Sequence, residues 1–336
     1  MRLARAGVRN SALRIALAVL PVVALASGCT SSAGNDASGA GAVITVAVVP
    51  GIDNAPLRVA IQEGLFRQHG LDVTVKDYSS LKDELSALNS GQAVIASGDY
   101  TGFFYAQAAG QASLRLIADG HDAAADSMAI LTLPTSGITT PQQLSGQPGG
   151  VATQPASVAP YSATIPYDIQ TLAAEEVLQN DGVSPSSVSW TQMPVKDMIG
   201  ALASGRVKAI LATEPYVLQA EEQLGAVEVV DASSGVTSGI PLSGYFSLSS
   251  YANGHSSAVR AFQQALDQAQ SDSAQRGLVQ AVLPQLTGMS RGDAAQVTLG
   301  TYPDSLNVGQ VQRVATLMYD SAMIRNPVSV SALTAG

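Results

Sequence analysis

The sequence contains a single cysteine, Cys29, among 336 residues. One cysteine excludes an intramolecular disulfide and a cysteine cluster that binds a metal. Charged residues make up only 13% of the chain, whereas hydrophobic residues make up 46%. A chain this apolar can bury a large core, so its composition excludes an intrinsically disordered protein. We therefore expect a globular fold without disulfide crosslinks.

Residue patterns of enzymes are equally scarce. The three histidines, His69, His121 and His255, are isolated, with no H-E-x-x-H or C-x-x-C spacing around them. The sequence also lacks the G-x-S-x-G turn of serine hydrolases and the glycine-rich loops that bind nucleotides. We predict that the protein is not an enzyme and uses no catalytic residue, metal or cofactor. An enzyme that converts a small molecule stays open as the alternative of another class.

The first residues have the pattern of an export signal. Arginines at positions 2, 5, 9 and 14 precede an apolar run from residue 15 to residue 25. This run is too short to cross a bilayer, which takes about 20 apolar residues. Residues 25–29 read Leu-Ala-Ser-Gly-Cys and resemble the lipobox of bacterial lipoproteins. The resemblance implies a lipoprotein signal peptide over residues 1–28 and a lipid on Cys29, which would anchor the protein to the outer side of the cell membrane. An ordinary secreted protein with an incidental cysteine is the alternative.

Small residues over positions 29–42 predict a flexible tether after this signal. Removing the signal segment, which has four arginines and no acid, takes the formal net charge from -9 to about -13. So acidic a protein lacks the basic surface that nucleic acid binding needs. We therefore expect no nucleic acid partner.

Strand and helix patterns alternate along the rest of the chain. A near-continuous apolar run at residues 43–49 is typical of a strand buried on both faces. Pro56 suits the first turn of a following helix, and residues 71–75 return as a strand. A second set of alternating elements covers residues 150–230, and the chain after residue 255 is mainly helical. This order predicts an α/β protein with two layered lobes.

Several short motifs, in the same order, are similar to those of one protein family. Residues 60–73 contain a Gly-Leu-Phe triplet and then Gly70-Leu71 before Val73. Residues 136–146 begin Ser-Gly-Ile and end Leu-Ser-Gly, and residues 201–216 run from Ala-Leu to Glu-Pro-Tyr. Together these motifs resemble the NitT/TauT family of ABC-importer substrate-binding proteins, which includes binders of sulfonates, nitrate and thiamine pyrimidines.

This resemblance implies a type II periplasmic-binding-protein fold, in which two α/β lobes are joined by a hinge and enclose an interlobe cleft. Lobe 1 would comprise residues 43–125 plus 242–336, and lobe 2 would comprise residues 126–241. The family also implies a monomer that captures a small-molecule ligand in the cleft and delivers it to an ABC permease in the membrane.

Ligands of open α/β sheets bind beyond the carboxyl ends of the strands. Four loops at such ends, and one strand that returns to lobe 1, supply the candidate ligand-binding residues Asp53, Asn54, Ser97, Asp99, Tyr100, Thr101, Thr153, Tyr161, Tyr167, Glu214, Tyr216 and Tyr245. Capping of helix N-termini is the alternative role for the acidic and hydroxyl side chains of this set.

The charges of these loops favour one ligand class. Asp53, Asp99 and Glu214 are acidic, and no lysine or arginine falls in the four loops. The loops therefore predict a neutral or cationic ring with hydrogen-bond donors, a thiamine-pyrimidine-like or related nitrogen compound. A sulfonate, taurine or nitrate, held by backbone N–H groups alone, is the alternative ligand.

Overall fold

The computed structural model describes residues 42–154 and 168–334. Ten strands run through these residues: β1 (Ala42–Val48), β2 (Leu71–Asp77), β3 (Ile95–Asp99), β4 (Leu114–Asp122), β5 (Met128–Thr132), β6 (Val151–Thr153), β7 (Trp190–Gln192), β8 (Ala209–Thr213), β9 (Val227–Asp231) and β10 (Pro241–Leu248). They form two five-stranded sheets, ordered β2-β1-β3-β10-β4 and β7-β6-β8-β5-β9.

The helices of the described residues pack against these sheets. They are α1 (Ala55–Gln62), α2 (Leu65–Gln68), α3 (Leu81–Ser90), α4 (Tyr100–Ala108), α5 (Ile169–Asn180), α6 (Val195–Ala203), α7 (Tyr216–Leu224), α8 (Ser249–Gly254), α9 (Ser256–Asp272), α10 (Arg276–Thr287), α11 (Arg291–Gln296), α12 (Val308–Asp320) and α13 (Val330–Thr334). None of them is long and apolar enough to cross a membrane.

The first strand shows how the apolar pattern of the sequence becomes a buried layer. β1 pairs in parallel with both β2 and β3, so it lies inside the first sheet. Val46 and Val48 pack in one core cluster with α9, whereas Ala47 belongs to a second cluster with α3 and α4. Both faces of the strand are therefore covered, which is the arrangement that a continuous apolar run predicts. The predicted α/β fold class is confirmed.

The chain passes twice between the two sheets. It leaves the first sheet after β4, builds the second sheet from β5 to β9, and returns through β10. β10 inserts antiparallel between β3 and β4, which places late residues beside the loops that follow β1 and β3. The lobe boundaries stated from the sequence remain a prediction. The signal peptide, Cys29 and tether lie outside the described residues, apart from Ala42, which begins β1.

Gly150, at the entry to β6, allows a close approach of two strands. Its φ is 62°, and a Cβ there would overlap the carbonyl oxygen of Ser189. Gly182 has a similar φ of 78°, but nothing lies within 4 Å of the position that its Cβ would take. We expect Gly182→Ala to lower the free energy of unfolding by about 1–2 kcal/mol, through the left-handed backbone alone.

Gly150→Ala is expected to lower the free energy of unfolding by about 1–3 kcal/mol more than Gly182→Ala, because the backbone at Ser189, directly before β7, must move. Urea-induced unfolding of both variants measures this difference. Equal losses in the two variants would show that the close approach at Gly150 costs nothing.

Candidate functional site

The loop that follows β1 meets the C-terminal end of β3 at one edge of the first sheet. Asn54 is fully buried, and its Nδ2 donates to Ser97 Oγ at 3.0 Å and to Asp53 Oδ2 at 3.4 Å. Asp53 itself is only half-buried. The structure therefore brings together three of the residues that the sequence predicted, two from the loop after β1 and one from β3.

Asp99, at the end of β3, caps helix α4. Its Oδ1 accepts hydrogen bonds from the Thr101 backbone N–H at 2.7 Å and from the Thr101 hydroxyl at 2.8 Å. The capping role considered from the sequence is thus present for Asp99 and involves Thr101 as well. Because Asp99 stays half-buried and both bonds use one oxygen, capping leaves its carboxylate open to a further role.

The second sheet supplies a similar cap from the opposite side. Asp168 Oδ1 accepts hydrogen bonds from the Thr171 N–H and hydroxyl, both at 2.9 Å, at the N-terminus of α5. Thr153, at the end of β6, shares a 2.6 Å hydrogen bond with the Thr171 hydroxyl. Thr153 is therefore tied to the start of α5. Asp168 was not among the predicted residues, although an acid directly before a predicted helix is a capping signal.

Asp99 at the end of β3 and Asp168 at the N-terminus of α5 come close to each other, although β3 lies in the first sheet and α5 packs on the second. Burial raises the pKa of Asp168 from 3.8 to about 7, with the neighbouring Asp99 charge as a smaller cause. Burial also raises the pKa of Asp99 to about 6, whereas the hydrogen bonds from Thr101 and the Ile169 backbone N–H lower it. The Asp99 carboxyl at the end of β3 thus faces the N-terminus of α5, which packs on the second sheet.

Strand β10, which pairs with β3, contributes further side chains to the site. In its antiparallel pairing with β3, Tyr245 lies opposite Ser97, and Ser243 lies opposite Asp99. The Tyr245 ring is buried against Phe262, with 5.8 Å between the ring centroids, and its hydroxyl has no hydrogen-bond partner. Tyr245 therefore lies beside Ser97 and Asp99, and its role in ligand binding stays a prediction. Ser243 lies there too and was not predicted.

Glu84 is a further acid that the sequence analysis missed. It lies on α3 among Leu81, Leu85 and Leu88, the apolar face of that helix, and it is fully buried. An acid three residues after one leucine and four before another is the signal that could have found it. Burial, followed by the charge of Asp53, raises the pKa of Glu84 well above 4.5.

Three other predicted residues have side chains that contact protein. Tyr100 is fully buried and donates to Asp119 Oδ1 at 2.7 Å. Glu214 accepts from the Thr298 N–H at 2.8 Å and, with its other oxygen, from the Leu218 N–H at 3.1 Å. Tyr216 is half-buried and packs against the core cluster around β8. Tyr161 and Tyr167 lie outside the described residues.

The carboxyl groups of the site have no basic partner among the groups that set their pKa values, although Arg58 interacts with Tyr245 and Arg276 with Tyr302. Hydrogen bonds are the opposing influences on the pKa values of Asp53, Glu84, Asp99 and Asp168, and no lysine or arginine lowers them. Within residues 42–154 and 168–334, no group of three or more His, Cys, Asp or Glu side chains could hold a metal ion. When they are ionised, the carboxyl groups of the site offer only hydrogen-bond acceptors to a ligand.

The raised pKa values predict how the ligand-free protein responds to pH. The folded chain keeps protons on Asp168, Asp99 and Asp53 that the unfolded chain loses near 3.8, because their folded pKa values are about 7, about 6 and about 6. Unfolding in this window releases protons, so the free energy of unfolding is expected to fall as the pH rises through it. Urea unfolding at about pH 5 and about pH 8 measures this slope.

Asp168→Asn should make the free energy of unfolding depend less on pH, since it removes the carboxyl whose pKa differs most between the folded and the unfolded chain. Asp72→Asn is the matched control, because Asp72 is exposed on β2. A slope that Asp168→Asn leaves unchanged would contradict the assignment of the proton to this carboxyl.

The sequence of the chain matches one protein family over most of its length. The family described as NMT1/THI5 like matches residues 52–276. The chain belongs to this family. The match spans the β1 loop, Glu84, Asp99, Asp168 and β10, so all parts of the candidate site lie within it. A search of curated proteins finds no significant match.

Solved structures share the fold at low sequence identity. The periplasmic aliphatic sulphonate binding protein from Escherichia coli is 18% identical, with a TM-score of 0.70 over 87% of this chain and 97% of that chain. The periplasmic nitrate-binding protein from Synechocystis is 12% identical, with a TM-score of 0.66 over 87% of this chain and 85% of that one.

A Candida albicans protein described as having the generic periplasmic binding protein fold is 14% identical, with a TM-score of 0.63 over 86% of this chain and 92% of that one. These likenesses, with the family match, confirm the resemblance to NitT/TauT proteins and the predicted fold. Family and fold together support a substrate-binding protein of an ABC importer.

Proposed function

We propose that this NMT1/THI5-like protein is the extracytoplasmic solute-binding component of an ABC importer and captures a small organic nitrogen compound of the thiamine-pyrimidine kind. A lipid on Cys29 would anchor it to the cell membrane, and the monomer would deliver its ligand to a membrane permease. Family membership and the periplasmic-binding-protein fold support the importer role. The ligand class depends on one observation, which is the set of acids at the site.

The acids lie on both sides of the proposed cleft. Asp53 comes from the loop after β1 and Asp99 from the end of β3 in the first sheet, and Asp168 comes from the start of α5 beside the second sheet. A ligand with N–H donors or a positive charge would contact carboxylates of both lobes at once. Such charge-assisted hydrogen bonds are about twice as strong as neutral ones. Only the closed arrangement makes both sets of contacts, so ligand binding would shift the population towards closure.

An anionic ligand is the second candidate, because sulfonate- and nitrate-binding proteins share this fold. An anion would use the N–H groups at the start of α5, as helix N-termini commonly bind anions. In this chain, Asp168 already caps that terminus, and the Asp99 carboxyl interacts with the Ile169 N–H. A sulfonate placed there would meet two carboxyl groups, so the observed charges favour a cation or a neutral donor.

Calorimetric titration of the purified soluble chain tests the ligand class. We expect an aminopyrimidine to bind with a Kd near micromolar, about -8 kcal/mol, and an alkanesulfonate to bind far more weakly. Tight binding of the sulfonate alone would overturn the proposed ligand class. An enzyme would consume its ligand, so recovery of the unchanged aminopyrimidine after long incubation separates a binding protein from the enzyme alternative.

The proposed anchor is tested separately in cells. We expect the wild-type chain to partition with membranes and Cys29→Ser to partition into the soluble extracytoplasmic fraction. Unchanged membrane partitioning of Cys29→Ser would exclude the lipid on this residue.

A further inference from the structure

Four buried side chains at this edge of the first sheet have polar atoms that make no well-formed hydrogen bond, although the Ser243 hydroxyl lies near Asp53 and the Tyr245 hydroxyl lies near Ser97. These atoms are Asn54 Oδ1, both carboxyl oxygens of Glu84, Ser243 Oγ and the Tyr245 hydroxyl. None of the four side chains is more than 4% exposed. Leaving one such atom unsatisfied costs about 1–3 kcal/mol, so native proteins contain few of them. Their concentration in one place indicates a missing partner.

Asn54 can offer that partner only an acceptor. An amide NH2 group has two N–H donors. Both are in use, because Nδ2 donates to Ser97 and to Asp53. The remaining Oδ1 accepts hydrogen bonds, so the group that satisfies Asn54 must itself be a donor. Asp53 beside it is an acceptor as well when ionised.

Glu84 lies directly beneath the same loops. A Cβ at position 98 would stand 3.0 Å from Glu84 Oε2 and 3.2 Å from Leu81 Cδ1, so the glycine lets this carboxyl pack closely under β3. The Val49 backbone N–H lowers the pKa of Glu84, but neither carboxyl oxygen makes a well-formed hydrogen bond. The Glu84 carboxyl is therefore buried in the site, and no well-formed hydrogen bond stabilises its charge.

The groups facing Glu84 determine its protonation. Asp83 on its own helix and Asp53 in the loop after β1 both raise its pKa, after the larger effect of burial. Asp53 in turn interacts with Asp99 at the end of β3 and with Ser243 on β10. Tyr245 on β10 and the nearby Tyr302 interact with Asp53 and are neutral at physiological pH, because burial raises the pKa of both. Burial raises the pKa of both carboxyls and no basic group opposes it, which favours a proton on the pair when ligand is absent.

We propose that Asp53, Asn54 and Glu84 form a subsite for a cationic N–H donor group of the ligand, and that the cation displaces a proton from the Asp53–Glu84 carboxyl pair. The inference rests on the proposed function, because it places the charged end of the captured ligand. An amidinium or a protonated aminopyrimidine has two donors side by side, one for Asn54 Oδ1 and one for Asp53. The proton leaves to solvent as the ligand charge takes its place.

Calorimetry with benzamidine as the probe tests this exchange. Benzamidine stays cationic at neutral pH, whereas benzamide has nearly the same shape, no charge and one fewer donor site. We expect benzamidine to bind at least about tenfold more tightly than benzamide. Its binding enthalpy should differ between two buffers of different ionisation enthalpy, because protons are released. A buffer-independent enthalpy, or no binding of benzamidine, would overturn the proposal.

Glu84→Gln tests whether the proton released on benzamidine binding comes from this pair, since the amide keeps the shape of the carboxyl and cannot titrate. We expect this variant to lose most of the proton release, while Asp72→Asn on exposed β2 retains it. If Glu84→Gln does not fold, Asp53→Asn serves instead, because it removes the other carboxyl of the pair. Proton release that survives in the folded variant places the proton elsewhere and overturns the proposal.

Failure of the subsite is distinguishable from failure of the importer role. Tight binding of an alkanesulfonate or a neutral ring, without benzamidine binding, would rule out the proposed subsite but would still support a solute-binding protein. Conversion of the bound compound into a product would remove the binding role itself, whatever the protonation of Glu84.

Discussion

Asp99→Asn is expected to weaken binding of a protonated aminopyrimidine by about 10–100-fold, because hydrogen bonds to charged groups contribute about 1.5–3 kcal/mol. The pKa of Asp99 is raised to about 6, so the carboxylate is mostly ionised above neutral pH. Asparagine caps a helix N-terminus about as well as aspartate. The variant should therefore keep α4 and the bonds to Thr101 while losing only the charge.

Calorimetric titration of wild type and Asp99→Asn measures this loss, with Asp72→Asn as the control that changes the net charge equally on an exposed strand. The same substitution should strengthen binding of an alkanesulfonate, since it removes a negative charge beside the Ile169 N–H. Unchanged affinities for both compounds would show that Asp99 serves only as the cap of α4.

Phe246→Ala is expected to lower the free energy of unfolding by about 3–5 kcal/mol, the usual cost of deleting a buried aromatic ring. Phe246 is fully buried on β10, the strand through which the chain returns to the first sheet. Its ring stacks on Phe103 at 4.2 Å between centroids and meets Phe104 and Tyr100 edge-on at 6.1 Å and 5.7 Å. The substitution would leave a cavity between β10 and α4, next to the candidate site.

Urea-induced unfolding measures the effect, and Tyr319→Ala is the control, because Tyr319 is 46% exposed on α12. The control should stay within about 0.5 kcal/mol of wild type. A loss below about 1 kcal/mol for Phe246→Ala would mean that the aromatic cluster collapses into the cavity or contributes little to the core.

Local patterns were sufficient for most elements of the fold. The apolar run at 43–49 predicts β1, which the structure places at Ala42–Val48, because a strand buried on both faces needs no polar alternation. The leucine spacing after position 81 predicts α3, observed at Leu81–Ser90. The residue pattern over 188–193 predicts a strand, but the structure has only Trp190–Gln192, since the N–H of Val188 bonds to Pro185 in the preceding turn.

Residue type alone could not separate site residues from capping and core residues. Asp99 and Glu214 are both acids before helices, yet Glu214 bonds to the Leu218 and Thr298 N–H groups, whereas Asp99 caps α4 and also faces the Ile169 N–H at the start of α5. Tyr100 and Tyr245 are both tyrosines near strand ends. The Tyr100 hydroxyl bonds to Asp119, whereas the Tyr245 hydroxyl lies at the site without a partner. Those outcomes depend on contacts between distant parts of the chain.

The amino-acid sequence was enough to predict the α/β class, the family resemblance and the acidic character of the candidate loops, because periodicity, motif order and charge are local properties. Only the tertiary structure placed Glu84 beneath Gly98 and Asp168 beside Asp99. Each of these pairs joins residues that are separated along the chain and meet only when the sheets assemble. Their burial, and with it their protonation, comes from that assembly.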